Sequence, residues 1–261
     1  KIGSVTVKNR AIMGSMHTGL EESPDGFERM AAYFAERAAG GVGMIITGGI
    51  APNEEGGMVF RDENGDSVFA ASKLSTEAEA TGHKLITDAV HAADPDVKIC
   101  MQILHMGPLA MNDHLVAPSA VKSRISKFTP NELDADGIEK QIEDHVNCAL
   151  LAQKAGYDGV EIIGSAGYLI STFLVEKTNM RTDEYGGSYE NRMRFALEVV
   201  RRCRAAVGED FIIIFRIAGM DMLEGGMSWD EVALLARELE KVGASVISTH
   251  FTWHESAVPT I

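Results

Sequence analysis

Three stretches of the chain share one device: a helical run ends on glycine and a β-branched run follows at once. They are Ala39-Gly-Gly-Val-Gly-Met-Ile-Ile46, Ala155-Gly-Tyr-Asp-Gly-Val-Glu-Ile162 and Val242-Gly-Ala-Ser-Val-Ile247. Glycine lacks the Cβ that penalises the left-handed conformation at a helix end, so each junction stops a helix and releases a strand without a spacer. A chain that does this repeatedly alternates strands with crossover helices, and that requires a parallel sheet. Apolar runs place six strands near residues 11–16, 43–47, 97–104, 160–163, 211–217 and 245–249. The helices between them carry their own start signals. Thr76-x-x-Glu79 and Ser228-Trp-Asp-Glu231 both read as capping boxes, and Val232, Leu235, Leu239 and Val242 then recur at helical spacing. Ile138, Ile142, Val146 and Leu150 mark the apolar face of the helix before the fourth strand.

Two architectures accept parallel βα repeats: a doubly wound sheet and a barrel. A dinucleotide-binding sheet carries Gly-x-Gly-x-x-Gly after its first strand, and the turn here, Met13-Gly-Ser-Met-His-Thr-Gly19, lacks that spacing. The expected fold is therefore α/β, a TIM (βα)8 barrel truncated after about strand six, with residues 1–261 as one incomplete domain that lacks the last two βα units. An unclosed barrel leaves backbone donors and acceptors unpaired along its edge, so such a chain is expected to be unstable alone or completed by something else. The stretch 52–75, rich in Gly, Asp and Glu, is longer than a routine connection, as functional loops often are.

Composition narrows the partners. With 24 Lys and Arg against 38 Asp and Glu, the net charge is −14, and no basic run is present to attract nucleic acid or an anionic membrane. No apolar run approaches the ~20 residues of a membrane helix, and no signal peptide opens the chain, so a cytoplasmic protein acting on small molecules is expected. Cys100, Cys148 and Cys203 show no paired spacing and read as buried free thiols. Met44 and Met101 read as core filler, and Glu21-Glu22 and Glu54-Glu55 as solvated loops.

Barrel chemistry gathers at the C-terminal ends of the strands. Ser15, His17, Gly48, Gly49, Gln102, His105, Ser165, Tyr168, Arg216, His250 and His254 all fall there. Most such residues also have a structural reading as satisfied hydrogen-bonders. Arg216 is the exception, because a guanidinium after the apolar run 211–215 must meet an anion or another strong acceptor. The histidines raise a second class, a metal-dependent hydrolase, but the His-x-His spacing and an inward carboxylate are both missing, so no metal is assigned. A third reading is an inert barrel fragment used only for assembly.

Lys8-Asn9-Arg10, Gly14-Ser-Met-His-Thr-Gly19, Gln102-Ile-Leu-His105, Gly156-Tyr-Asp-Gly-Val-Glu161, Gly167-Tyr-Leu169 and Asn179-Met-Arg-Thr-Asp-Glu-Tyr-Gly-Gly-Ser188 with Glu190-Asn-Arg192 together resemble the Old Yellow Enzyme family of FMN-dependent barrels. The resemblance runs over the whole chain. Ser15 to Glu22 and Trp253-His-Glu255 resemble the 2,4-dienoyl-CoA reductase branch most. The pair of His, or His and Asn, that holds an enone carbonyl elsewhere in the family is replaced by Ile163 and Ala166, a departure that fits that branch. The resemblance implies FMN contacts by Ser15, Met16, His17, Gly49, Gln102 and Arg216, and an acid pair of Tyr168 and His254. It implies substrate contacts by Thr178, Asn179, Met180, Arg181, Glu255, Ser256, Ala257 and Val258. The implied reaction is reduction of a conjugated C=C bond of a dienoyl-CoA thioester, with a 4Fe-4S cluster, FAD and NADPH serving the full enzyme outside this chain. Within the family, amine oxidation of the trimethylamine dehydrogenase kind is the rival.

Overall fold

The computed structural model describes residues 1–57 and 70–256. One sheet holds six parallel strands: β1 (Ile12–Met13), β2 (Met44–Ile50), β3 (Lys98–Ile103), β4 (Gly159–Gly164), β5 (Ile212–Met220) and β6 (Val246–Phe251). Each pairs only with its neighbours in this order. Five main helices lie between them: α1 (Gly26–Ala39), α2 (Glu77–Ala93), α3 (Ala135–Lys154), α4 (Arg194–Val207) and α5 (Trp229–Lys241). The strand order never reverses, which excludes a doubly wound sheet and leaves six consecutive barrel strands joined by five crossover helices. The expected open edge is present among the described residues. The central strand β4 is buried along its whole length, whereas no residue of the edge strand β6 is fully buried.

The local signals explain the elements. Gly41, Gly156 and Gly243, one in each repeated junction, have φ of 95°, 89° and 110°, the left-handed region their Cβ-free backbone permits. Both capping boxes form. Thr76 and Ser228 each accept from the N–H three residues on, while Glu79 and Glu231 accept from the cap's own N–H. The face assigned to α3 needs correction. Ile138 and Ile142 are buried, Val146 is half-buried and Leu150 is exposed. Steps of four residues drift roughly 40° each on a helix with 3.6 residues per turn, so the stripe turns to water by its fourth member.

Two cores result. The larger packs the helices against the outer face of the sheet. The smaller fills the inside of the barrel, where Met44, Ile46, Cys100, Ile212 and Ile214 meet Ile2, Val5 and Val7. That N-terminal segment packs against the interior side chains at the N-terminal ends of the strands. The three cysteines are buried free thiols, as expected. Glu21 is not solvated, however. It is fully buried, and its carboxylate accepts from the Thr18 N–H and hydroxyl at 3.3 and 2.9 Å. Of the stretch 52–75, residues 58–69 lie outside the described residues, as do Ala257 and Val258.

Candidate active site

The upper ends of the strands enclose a cavity of about 380 Å³. Ser15 and His17 reach it from the turn after β1, Gly49 from β2, Gln102 from β3 and Arg216 from β5. Tyr168 arrives from the turn after β4, and His250 and His254 from β6 and the turn beyond it. Leu104, Met106, Ile163 and Ala166 give it apolar walls. Met16 does not join them; its side chain is exposed.

The floor is set by strand geometry. Between Ile46↔Cys100 and Gly49↔Gln102 the register shifts, so β2 carries one residue more than β3 there. The bulge removes the ladder partner of the Gln102 N–H, which donates instead to Thr47 Oγ1 at 3.1 Å. Gln102 Nε2 donates to Glu161 Oε2 at 2.7 Å. Burial pushes the Glu161 carboxyl above its ordinary pKa, opposed by that hydrogen bond, by the charge of Arg216 and by Ser248. Arg216 faces His250 Nδ1 at 3.4 Å. Burial, and then the guanidinium, hold the imidazole of His250 below its usual pKa. His17 Nε2 lies 2.8 Å from Glu22 Oε1 at the rim. A planar ring with both donors and acceptors on one edge suits this floor.

The wall carries a tyrosine–histidine pair. His254 Nε2 and the Tyr168 hydroxyl are 2.7 Å apart, with rings edge-to-face at 5.0 Å. Two strained turns bring them together. Ala166 (φ 67°) and Gly167 (φ 92°) reverse the chain after β4, and Thr252 (φ 98°) does so after β6. The turns are joined by a parallel bridge between Ala166 and Trp253, in which the His254 N–H donates to the Ala166 carbonyl at 3.2 Å. Burial raises the Tyr168 pKa and lowers that of His254. The phenol therefore keeps its proton at neutral pH, and the imidazole is neutral.

A second cavity of about 450 Å³ lies across the same turns. Thr178, Glu255 and Ser256 line it with Gly167 and Trp253, and Lys122, Arg124 and Lys177 stand around it. Of the other described positions expected to contact substrate, Asn179, Met180 and Arg181 line neither cavity. Asn179 donates from Nδ2 to the carbonyls of Phe173 and Tyr185, both at 2.8 Å. Arg181 is spent on Asp183 and on the carbonyls of Pro118 and Leu133. Met180 is exposed, with its N–H donating to Ser119.

His105 does not face the rim. It stacks at 6.2 Å on His145 of α3, beneath the sheet surface, with its Nδ1 accepting from the Gly107 N–H. Among the described residues no three His, Cys, Asp or Glu side chains cluster in a way that could hold a metal ion. Nor is any described helix long and apolar enough to cross a membrane. The residue missed by sequence reasoning is Glu161. A lone carboxylate inside the apolar run 160–163 was the available signal.

Comparison with known proteins agrees with this geometry. The profile of the NADH:flavin oxidoreductase / NADH oxidase family matches residues 1–260. A metal reductase of Desulforamulus reducens is 36% identical over 265 residues, covering 100% of this chain and 38% of that protein. The chain thus spans well under half of that relative. A solved 2-naphthoyl-CoA reductase in complex with 2-naphthoyl-CoA superposes with a TM-score of 0.88 at 29% identity, over 99% of this chain and 41% of that one. The old yellow enzyme homologue of Zymomonas mobilis gives 0.81 at 28% identity, over 99% and 75%. With its six barrel strands, its polar floor and a match over nearly its full length, the chain belongs to the NADH:flavin oxidoreductase / NADH oxidase family, that of the Old Yellow Enzyme homologues.

Proposed function

We propose that this chain is the substrate-reducing part of an FMN oxidoreductase that reduces a conjugated C=C bond of a 2,4-dienoyl-CoA thioester. The observation that carries the reading is the Tyr168–His254 pair, 2.7 Å apart, on the wall between the two cavities. FMN fits the residues of the first cavity. Gln102 and Arg216 offer an amide and a guanidinium to the pyrimidine edge of the ring, and Leu104, Met106, Ile163 and Ala166 offer apolar surface to its faces. Ser15, His17 and Gly49 border the same space, and Met16 adjoins it through the backbone of the turn. When bound, the flavin supplies the hydride.

The chain's own side chains do the rest. Tyr168 holds a proton at the cavity wall. With the imidazole proton on Nε2, His254 donates to the phenolic oxygen and leaves the O–H free to protonate the dienolate carbon. Ile163 and Ala166 leave no hydrogen-bond donors where enone reductases of the family clamp a carbonyl. That absence supports a thioester held from elsewhere. The second cavity suits the rest of such a substrate, because Lys122, Arg124 and Lys177 gather there in a chain of net charge −14. Thr178, Glu255 and Ser256 would contact it there. Electrons would arrive from NADPH through FAD and a 4Fe-4S cluster carried by sequence outside residues 1–261. Cys100, Cys148 and Cys203 are buried free thiols, and among the described residues no group of three His, Cys, Asp or Glu side chains could hold a metal.

The test is loss of dienoyl absorbance under anaerobic reduction. Tyr168→Phe should lower turnover by about 10² to 10⁴ with FMN affinity within about twofold of wild type. Unchanged turnover would remove Tyr168 from the mechanism, and release of an amine product would favour amine oxidation instead.

A further inference from the structure

Glu161 takes no part in lining the cavity, yet it governs what the floor can offer. It is wholly buried. Oε2 accepts from Gln102 Nε2 at 2.7 Å, and the hydroxyl of Ser248 acts on the same carboxyl. Gln102 and Glu161 are paired across β3 and β4, and the Gln102 backbone is pinned by its N–H to Thr47. Burying a carboxyl is costly, and an apolar side chain of similar size would fill this place without that cost. A purely structural role has no use for the carboxyl.

The chemistry of the pair gives it one. A carboxylate only accepts hydrogen bonds, and the amide nitrogen of glutamine only donates. Their contact therefore allows one orientation of the Gln102 amide: Nε2 turned to Glu161 and Oε1 left toward the cavity that Gln102 borders. We infer that Glu161 is the positioning residue that makes Gln102 present an acceptor, so that the floor selects a ring whose edge carries an N–H at that point. In a flavin that group is the imide N3–H. The assignment rests on the FMN reading above. The charge of Arg216 and the hydroxyl of Ser248 act on the same carboxyl and favour its accepting form.

The test uses the full-length protein, stripped of flavin and reloaded with ¹⁵N-labelled FMN. In wild type the N3–H proton is expected downfield of that in free FMN, as a hydrogen-bonded imide should be. Glu161→Leu frees the Gln102 amide to turn, so the resonance should move upfield and FMN should bind about tenfold more weakly, the equivalent of one hydrogen bond. Glu161→Gln keeps the volume but offers a donor beside its acceptor, so both effects should be present at part strength. It also serves if the leucine variant does not fold. A structural role would lower thermal stability and leave the N3–H resonance in place. That result in a folded variant overturns the inference, as does a wild-type resonance no further downfield than that of free FMN. Failure of wild type to bind FMN at all overturns the cofactor reading itself.

Discussion

Gly167→Ala tests whether the strained turn after β4 sets the Tyr168–His254 pair. Gly167 has φ 92°, and a Cβ there would sit 2.8 Å from both Cε2 and Nε1 of Trp253. Two penalties follow. Holding alanine left-handed costs about 1–2 kcal/mol, and forcing a methyl against a buried indole costs about 1–3 kcal/mol, for a sum of about 2–5 kcal/mol. Ordinary contact at about 3.6 Å requires Trp253 to retreat by about 0.8 Å. His254 is the next residue, and if it follows, the 2.7 Å contact to Tyr168 opens to about 3.5 Å, beyond a good hydrogen bond. A catalytic group misplaced by ~1 Å loses ~10² in rate. Denaturant unfolding and single-turnover kinetics of the full-length protein measure the two effects. Adding Trp253→Phe should return the packing part and leave the backbone part, so the two changes should couple in a double-mutant cycle. A Gly167→Ala protein within ~0.5 kcal/mol of wild type, with unaltered turnover, would refute the reasoning.

Three further outcomes are expected. Arg216→Ala should weaken FMN binding by about 10- to 100-fold, the range of a charge-assisted hydrogen bond, measured by quenching of flavin fluorescence. Thr76→Ala removes the cap that accepts from the Glu79 N–H and should cost about 1 kcal/mol, read as a lower denaturation midpoint at unchanged slope. His83 is buried, and desolvation pushes its pKa down to about 4 despite its contact with the Lys73 carbonyl and the charge of Glu79. The unfolded chain takes up this proton near pH 6.5 and the folded one only near 4. Stability is therefore complete above about pH 6.5 and lost as pH falls toward 4, by about 3 kcal/mol. In His83→Gln the pH dependence of unfolding should flatten over that window.

What the sequence disclosed was punctuation. The junction glycines and the two capping boxes are local signals, each needing only a few neighbouring residues, and the structure uses every one of them. Gln102 and Arg216 were legible because a polar head inside an apolar strand has few places to go. His105 was misread for want of the strand period. Gln102 and Leu104 alternate inward, so the odd position between and after them turns outward, and His105 duly packs against α3. Glu21 was hidden because its burial depends on Gly48, far along the chain, where a Cβ would collide with its carboxylate. Asn179 and Arg181 lie one and three residues after Thr178, yet their own hydrogen bonds to loop carbonyls turn them from the cavity that Thr178 lines. Such bonds depend on how distant segments meet, and spacing alone does not carry them.

The same alternation that hid these residues builds the site. On the turn after β4, Ala166 and Tyr168 face the first cavity and Gly167 between them faces the second. On the turn after β6, His254 faces the first while Trp253 and Glu255 on either side of it face the second. Two extended segments bridged side by side thus form a partition one residue thick, with the Tyr168–His254 pair on one side and the Trp253 indole on the other. A partition that thin has no room for a helix, and it needs a sharp reversal at each strand end. Ala166 and Thr252 supply those reversals at positive φ, where they are strained. That neither residue is glycine locates the cost at the two points where the wall must be stiff, because a flexible hinge there would let the Tyr168–His254 contact wander between the cavities.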